Sequence, residues 1–196
     1  MKLYYTKRSP YGRKARIMAL EKKIALELVE VDLANKPENL YQANPLGKIP
    51  VLELADGRTL CDSPLICEYL DGLSPEPKFL AQELRQRLVT LNLAAIADGL
   101  MDVTIAAYME KQRHTQDFHQ RFVQLQEETI QRCLAFFDQQ VQELEPMNLA
   151  SVGVISAIGY IQFRVASLWN PKAYSRLASW YEKQMRRPSF QSTIPG

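Results

Sequence analysis

The sequence predicts an α/β unit followed by an all-helical unit, and three observations lead there. Up to about residue 75, short β-prone runs alternate with helix-like runs. Beyond it the chain holds no convincing strand pattern, only long stretches with few helix breakers. Between the two, Ser74-Pro75-Glu76-Pro77-Lys78 is proline-rich, as joining segments are. These features divide the chain into 1–73, a linker at 74–80, and 81–196, and 196 residues suffice for two small units at roughly 100–200 residues per domain.

Lys2–Thr6 is the first strand, ending at Arg8, Ser9 and Pro10. Arg13–Lys23 sets Ala15, Met18, Ala19 and Leu20 at helical spacing. Leu26–Leu33 alternates apolar residues with Glu27, Glu30 and Asp32, which predicts a second strand. Pro50–Leu54 and Thr59–Cys61 are two more, joined by Ala55-Asp56-Gly57-Arg58, whose Asp-Gly pair signals a hairpin. Ser63-Pro64, a serine cap with proline at the first helical position, opens a helix through Leu70. The order is β-α-β-(loop or helix)-β-β-α. Its first two strands should be parallel and its last two antiparallel, which is the mixed sheet of a thioredoxin-like domain. In the second half, helices are predicted over Gln82–Arg113, Gln116–Leu144, Asn148–Leu168 and Pro171–Arg187, the last stopped by Pro188.

Hydrophobic residues make up 46% and charged residues 23%, a globular composition that excludes disorder, collagen and coiled coil. No uninterrupted apolar run approaches the roughly 18 residues of a membrane span, so no membrane association is expected. The N-terminus enters a strand pattern directly, without a signal-peptide apolar region, which predicts a cytoplasmic protein. A net charge of +2 predicts no nucleic-acid partner. The three cysteines, Cys61, Cys67 and Cys133, and the two histidines, His114 and His119, lack the spacing of a disulfide framework or a zinc site, and no metal is expected.

Three stretches could carry chemistry. Ser9-Pro10-Tyr11-Gly12-Arg13-Lys14 places a hydroxyl beside the unpaired N–H groups and positive dipole of a helix start, with Arg8, Arg13, Lys14 and Arg16 crowding the same end. An anion is the natural complement, although a plain N-cap and a solvated basic face fit the same residues. Asn44-Pro45-Leu46-Gly47-Lys48-Ile49-Pro50-Val51-Leu52 runs from a tight loop into a strand. A cis Ile49–Pro50 bond there would turn the Ile49 N–H and C=O toward a ligand, whereas a trans proline would simply begin an edge strand. Asp62-Ser63 offers donors for a carboxylate and an acceptor for an ammonium, the needs of an α-amino acid group, or else an ordinary cap.

Taken together, these stretches resemble the N-terminal domain of cytosolic glutathione transferases. The resemblance rests on Ser9-Pro10-Tyr11, Asn35-Lys36-Pro37-Glu38, the Asn44–Leu52 stretch, and Asp62-Ser63-Pro64 leading to Ile66-Cys67-Glu68-Tyr69-Leu70. It extends to the second half through Asn148-Leu149-Ala150-Ser151-Val152, similar to the family's capping box, and Gly159-Tyr160-Ile161-Gln162-Phe163-Arg164. The resemblance implies glutathione as co-substrate. Asp62 and Ser63 would hold its γ-glutamyl amino and carboxylate groups. Ile49 would pair with its cysteinyl backbone, and Lys36 would lie near its glycyl carboxylate. Ser9 stands where the family carries its catalytic Ser or Cys, and as a donor to sulfur it would favour the thiolate. A small hydrophobic electrophile would be the second substrate, and a homodimer the assembly, with the first domain against Gln82–Ala107 of the partner. The alternative on the same fold is a non-catalytic ligand-binding or protein-interaction module.

The pattern also departs from its relatives. Ser9 and Gly12 replace a C-x-x-C pair, which removes dithiol chemistry, and the lack of cysteine at Ser9 disfavours mixed-disulfide chemistry. Asp62 is one methylene shorter than the usual Glu or Gln, and Ser151 replaces an Asp in the capping box. Tyr5 rivals Ser9 as donor, although packing on a sheet face suits it better. Tyr5, Tyr11, Met101 and Tyr108 are candidates for a second-substrate pocket, with Trp169 beside them, though aromatic and Met residues at helical spacing usually build core. Asp98 and Asp102 form an i, i+4 pair in want of cationic partners, and Arg164, on an apolar helix, is expected to pair with a buried acid.

Overall fold

A computed structural model describes residues 1–74, 76–114 and 116–196; Pro75 of the predicted linker lies outside the described residues. Four strands, β1 (Lys2–Tyr5), β2 (Glu27–Glu30), β3 (Val51–Glu53) and β4 (Thr59–Leu60), form one sheet in the order β2-β1-β3-β4. β1 runs parallel to β2, with Leu3 opposite Leu28, and antiparallel to β3, with Leu3 opposite Leu52; β3 and β4 form the hairpin. Helices α1 (Pro10–Glu21), α2 (Glu38–Ala43) and α3 (Ser63–Gly72) complete this part. The helical part is α4 (Leu84–Arg113), α5 (Gln120–Gln139), α6 (Leu149–Arg164), α7 (Ser175–Gln184) and the short α8 (Pro188–Gln191). This is the thioredoxin-like sheet followed by a helical region that the sequence predicts.

Strand alternation divides the side chains of β1 between two cores. Leu3 and Tyr5 enter one continuous core that includes α1, α3, α4 and α6, so sheet and helical bundle share an interior. Tyr4 enters a small second cluster with Val31, Leu40 and Val51. β2 is shorter than its alternating pattern, because only β1 pairs with it and the Asp32 carboxylate then takes the Ala34 N–H into a turn. Leu28 is left exposed on this edge.

Helix ends follow capping chemistry that propensity does not reveal. Asp62, not Ser63, caps α3: its carboxylate takes the Ser63 N–H, and Ser63 and Pro64 are the first two helical residues. The predicted second helix of the helical part starts late, at Gln120, where His119 Nδ1 accepts the Phe122 N–H at 2.9 Å. Pro188 opens α8 rather than merely stopping its predecessor, because proline at N1 gives up no bond.

Helix α4 contains an 18-residue window of mean hydropathy 1.5, long and apolar enough by that measure to cross a membrane, where run length alone suggests none. It packs along α5 and α6 instead. Two of its acids, Asp98 and Asp102, point at α1.

Candidate functional site

The N-terminal turn of α1 is set by the chain leaving β1. The Thr6 hydroxyl oxygen accepts the Arg8 N–H at 3.1 Å, and the Thr6 carbonyl accepts the Ser9 N–H at 3.1 Å. Ser9 is then the N-cap, its Oγ accepting the Gly12 N–H at 3.1 Å. An oxygen used as acceptor keeps its own proton, so Ser9 remains a hydrogen-bond donor with no partner among the described residues.

Asn44 shapes the next stretch. Buried, it accepts the Leu46 N–H at 3.0 Å and donates from Nδ2 to the Lys48 carbonyl at 2.9 Å. Gly47 sits at φ +57, and a Cβ there would lie 2.6 Å from the Tyr41 ring. The loop delivers a cis Ile49–Pro50 bond directly before β3. Among the described residues, neither the N–H nor the C=O of Ile49 has a hydrogen-bond partner.

At the start of α3, Ser63 is buried and its Oγ has no partner among the described residues. Such orphans are few in native structures, and an accessory group from outside the chain is one way to satisfy them. Asp62 beside it is exposed, and Lys36 is half-exposed with its ammonium 6.0 Å from the centre of the Tyr41 ring. Burial raises the thiols of both nearby cysteines, Cys67 to about 12, so neither is a ready thiolate.

Helix α4 grips this end of α1. Lys14, fully buried, pairs with Asp98, and the Tyr11 hydroxyl donates to Asp102. Burial pushes the Asp98 carboxyl up while Lys14 opposes it. Burial and the Asp102 contact push the Tyr11 phenol well above its ordinary range, so Tyr11 stays protonated. Arg13, read from sequence as part of a solvated basic face, is also buried. It donates to the carbonyls of Ile155 at 3.3 Å and Phe190 at 3.2 Å. Three of the four crowded cations are thus used to join α1 to the helical part, Arg16 by donating to the Ser192 carbonyl at 3.2 Å.

The candidates for the second-substrate pocket separate. Tyr5 and Met101 are packed in the core, with Arg16 over the Tyr5 ring at 4.9 Å, and they line no open surface. Trp169 packs against Tyr174 and Tyr181. Tyr11 and Tyr108 remain half-exposed. Two cavities, about 320 Å³ beside Arg13 and Gly159 and about 400 Å³ beside Asp71 and Arg87, are lined by other residues than the candidate set. Among the described residues no cluster of His, Cys, Asp and Glu could hold a metal ion.

The chain is similar to known proteins in sequence and in fold. The sequence model of the glutathione S-transferase N-terminal domain matches residues 3–78. The uncharacterized GST-like protein YibF of Escherichia coli K12 is 32% identical over 200 residues, covering 100% of this chain and 98% of that protein. The crystal structure of a glutathione S-transferase from Methylobacillus flagellatus KT with glutathione bound superposes with a TM-score of 0.94 at 37% identity, covering 100% of this chain and 99% of that one. A glutathione transferase family member from Pseudomonas fluorescens Pf-5, also with bound glutathione, superposes with a TM-score of 0.92 at 32% identity, covering 100% and 98%. Alike over its full length in sequence and in fold, the chain belongs to the glutathione transferase superfamily.

Proposed function

We propose that this protein is a glutathione transferase that binds glutathione in the groove between Ile49 and Ser63 and activates its thiol with Ser9. The observation that carries the reading is a set of unspent groups in the sheet-bearing part: the Ser9 hydroxyl proton, both polar groups of the Ile49 backbone, and the buried Ser63 Oγ. They match the donors and acceptors of an extended peptide with a free α-amino acid end. Glutathione bound to the two bacterial relatives supports the match.

On this reading Ser63 and the first turn of α3 take the γ-glutamyl carboxylate, and Asp62 takes the ammonium. Ile49 pairs with the cysteinyl backbone as an added strand does. Lys36 faces the glycyl carboxylate. Ser9 donates its proton to sulfur without losing it. A free thiol has a pKa of about 8.5, so a donor that favours the anion, together with the positive end of α1, raises the thiolate fraction at neutral pH. The thiolate then attacks an electrophilic carbon held between Tyr11 and Tyr108, forming a C–S bond as a leaving group departs with its bonding pair.

Calorimetric titration of glutathione, with ultraviolet absorbance of the bound thiolate, tests this. Wild type should bind, Ser63→Ala should lose most affinity, and Ser9→Ala should bind but lose the thiolate band. Indifference to millimolar glutathione would sink the reading and leave a ligand-binding or protein-interaction module on the same fold. A thiolate band surviving in Ser9→Ala would move the role to the helix end.

We also propose a homodimer. Leu65 on α3 and Leu84, Leu88 and Val89 on α4 are all exposed, and the Arg87–Glu68 ion pair brings the two helices together at that place. An apolar face of this kind on a soluble chain marks an interaction site, and a second copy is its simplest cover.

A further inference from the structure

Arg164, the last residue of α6, meets no acid. Its guanidinium carbon lies 4.1 Å from the centre of the Phe163 ring, 4.4 Å from that of Tyr108 and 5.8 Å from that of Tyr160. Nη1 donates to the Tyr108 hydroxyl at 3.0 Å. Among the described residues its one side-chain hydrogen bond is that to Tyr108, with no carboxylate in ion-pair distance, and Nε is buried without a partner. Ring faces and the C-terminal end of a helix favour a cation, but neither neutralises it. The residue as a whole is half-exposed.

Its place follows from how α4 passes α1. Asp98 meets Lys14, and four residues later Asp102 meets Tyr11, which is earlier in α1. The two helices therefore run in opposite directions along this contact. Continuing along α4 leads past the N-terminal end of α1, the end that Ser9 caps. Tyr108 lies six residues beyond Asp102, about 9 Å further at 1.5 Å per residue. Arg164, held on Tyr108, therefore lies further along α4, past the end of α1 that Ser9 caps.

We infer that Arg164 receives a carboxylate on the second substrate, so that the preferred electrophiles are acids with a short aromatic or apolar body. The inference rests on the glutathione reading above and names the substrate class of that site. The physical case is specific to arginine. A guanidinium presents two parallel N–H donors that match a carboxylate, and a fork already held against rings loses little freedom on binding. The rings of Phe163 and Tyr108 give the apolar body of the ligand a wall.

Two unreactive conjugates test it: S-benzylglutathione and S-(4-carboxybenzyl)glutathione, titrated by calorimetry. Wild type should hold the acid about tenfold more tightly, the size of one modest charge-assisted contact. Added salt should reduce that preference. Arg164→Gln should equalise the two conjugates, and Arg164→Lys should keep part of the difference. A wild type without preference, or a preference undiminished in Arg164→Gln, overturns the inference; should that variant not fold, the wild-type comparison and Arg164→Lys still decide. If neither conjugate binds, the glutathione reading itself has failed. Titration with 4-methylbenzoate alone then judges Arg164 separately: saturable binding weakened in the Arg164 variants upholds it, and no saturable binding ends it.

Discussion

At Gly159 a Cβ would lie 2.0 Å from Arg13 Nη1, so a glycine on α6 is what admits the arginine of α1. Arg13 fills the space with a buried charge satisfied by carbonyls and by Thr193, the hydroxyl at 3.4 Å. Gly159→Ala should therefore displace the guanidinium and cost about 3–5 kcal/mol, the usual loss when a buried charge is stripped of its partners. Adding Arg13→Met should recover part of that loss, because the clash and the orphaned charge disappear together. Urea unfolding of both single variants and the double variant would show strong non-additivity; additive losses would refute the coupling. The pair also marks the reach of sequence reading. Ser9, Ile49 and Ser63 could be singled out because the loop and cap residues that present them are their chain neighbours. Arg13 and Lys14 could not be placed, since their partners lie as far as 180 and 84 residues away. A run of cations looks solvated until the opposite face is known.

Among elements, those with strong periodicity were legible and their ends were not. Alternation and the Asp-Gly turn suffice for the parallel pair and the hairpin, since strand registers repeat every second residue. Ends depend on single hydrogen bonds. At α6 the Ser151 hydroxyl accepts the Asn148 N–H at 3.0 Å and donates to the Leu144 carbonyl at 2.7 Å, two roles that an ionised aspartate could not fill together. The serine that departs from the family's acid thus closes the box and ties down the preceding 3₁₀ turn. The exposed leucines of α3 and α4 belong to the same scale, because only the packed chain shows them uncovered. If a second copy covers them, sedimentation should give a dimer, and Leu88→Glu, which places a charge on that face, should give a folded monomer. A monomeric wild type would refute the dimer.

Across the whole molecule, two further polar seams join the sheet-bearing part to the helices. Asp71 on α3 accepts from Lys22 at 3.2 Å and from the backbone N–H groups of Phe79 at 3.0 Å and Leu80 at 3.1 Å, which fixes the connection into the helical part. At the far end of α1, Glu21 accepts from Arg187 and from the Ser189 hydroxyl, which pins the chain around α8 back onto α1. The linker composition does not disclose this stapling, since each seam pairs residues from different elements. The second seam should be visible in acid. Burial pushes the Glu21 carboxyl up, but the bonds from Arg187 and Ser189 outweigh it and hold the folded value below the ordinary 4.5. A depressed carboxyl contributes its full stability above the unfolded value, and loses it as pH falls through the folded one, because the unfolded chain takes up the proton first. The raised carboxyl of Asp98 acts with the opposite sign, so a raw pH profile would mix the two. The difference between wild type and Glu21→Gln removes the Asp98 contribution from both curves. That difference should be about 1 kcal/mol near neutrality, flat down to about pH 5, and should shrink toward zero below it. A difference that grows on acidification would mean that Glu21 is not held as an anion by Arg187, and the seam would then rest on packing alone.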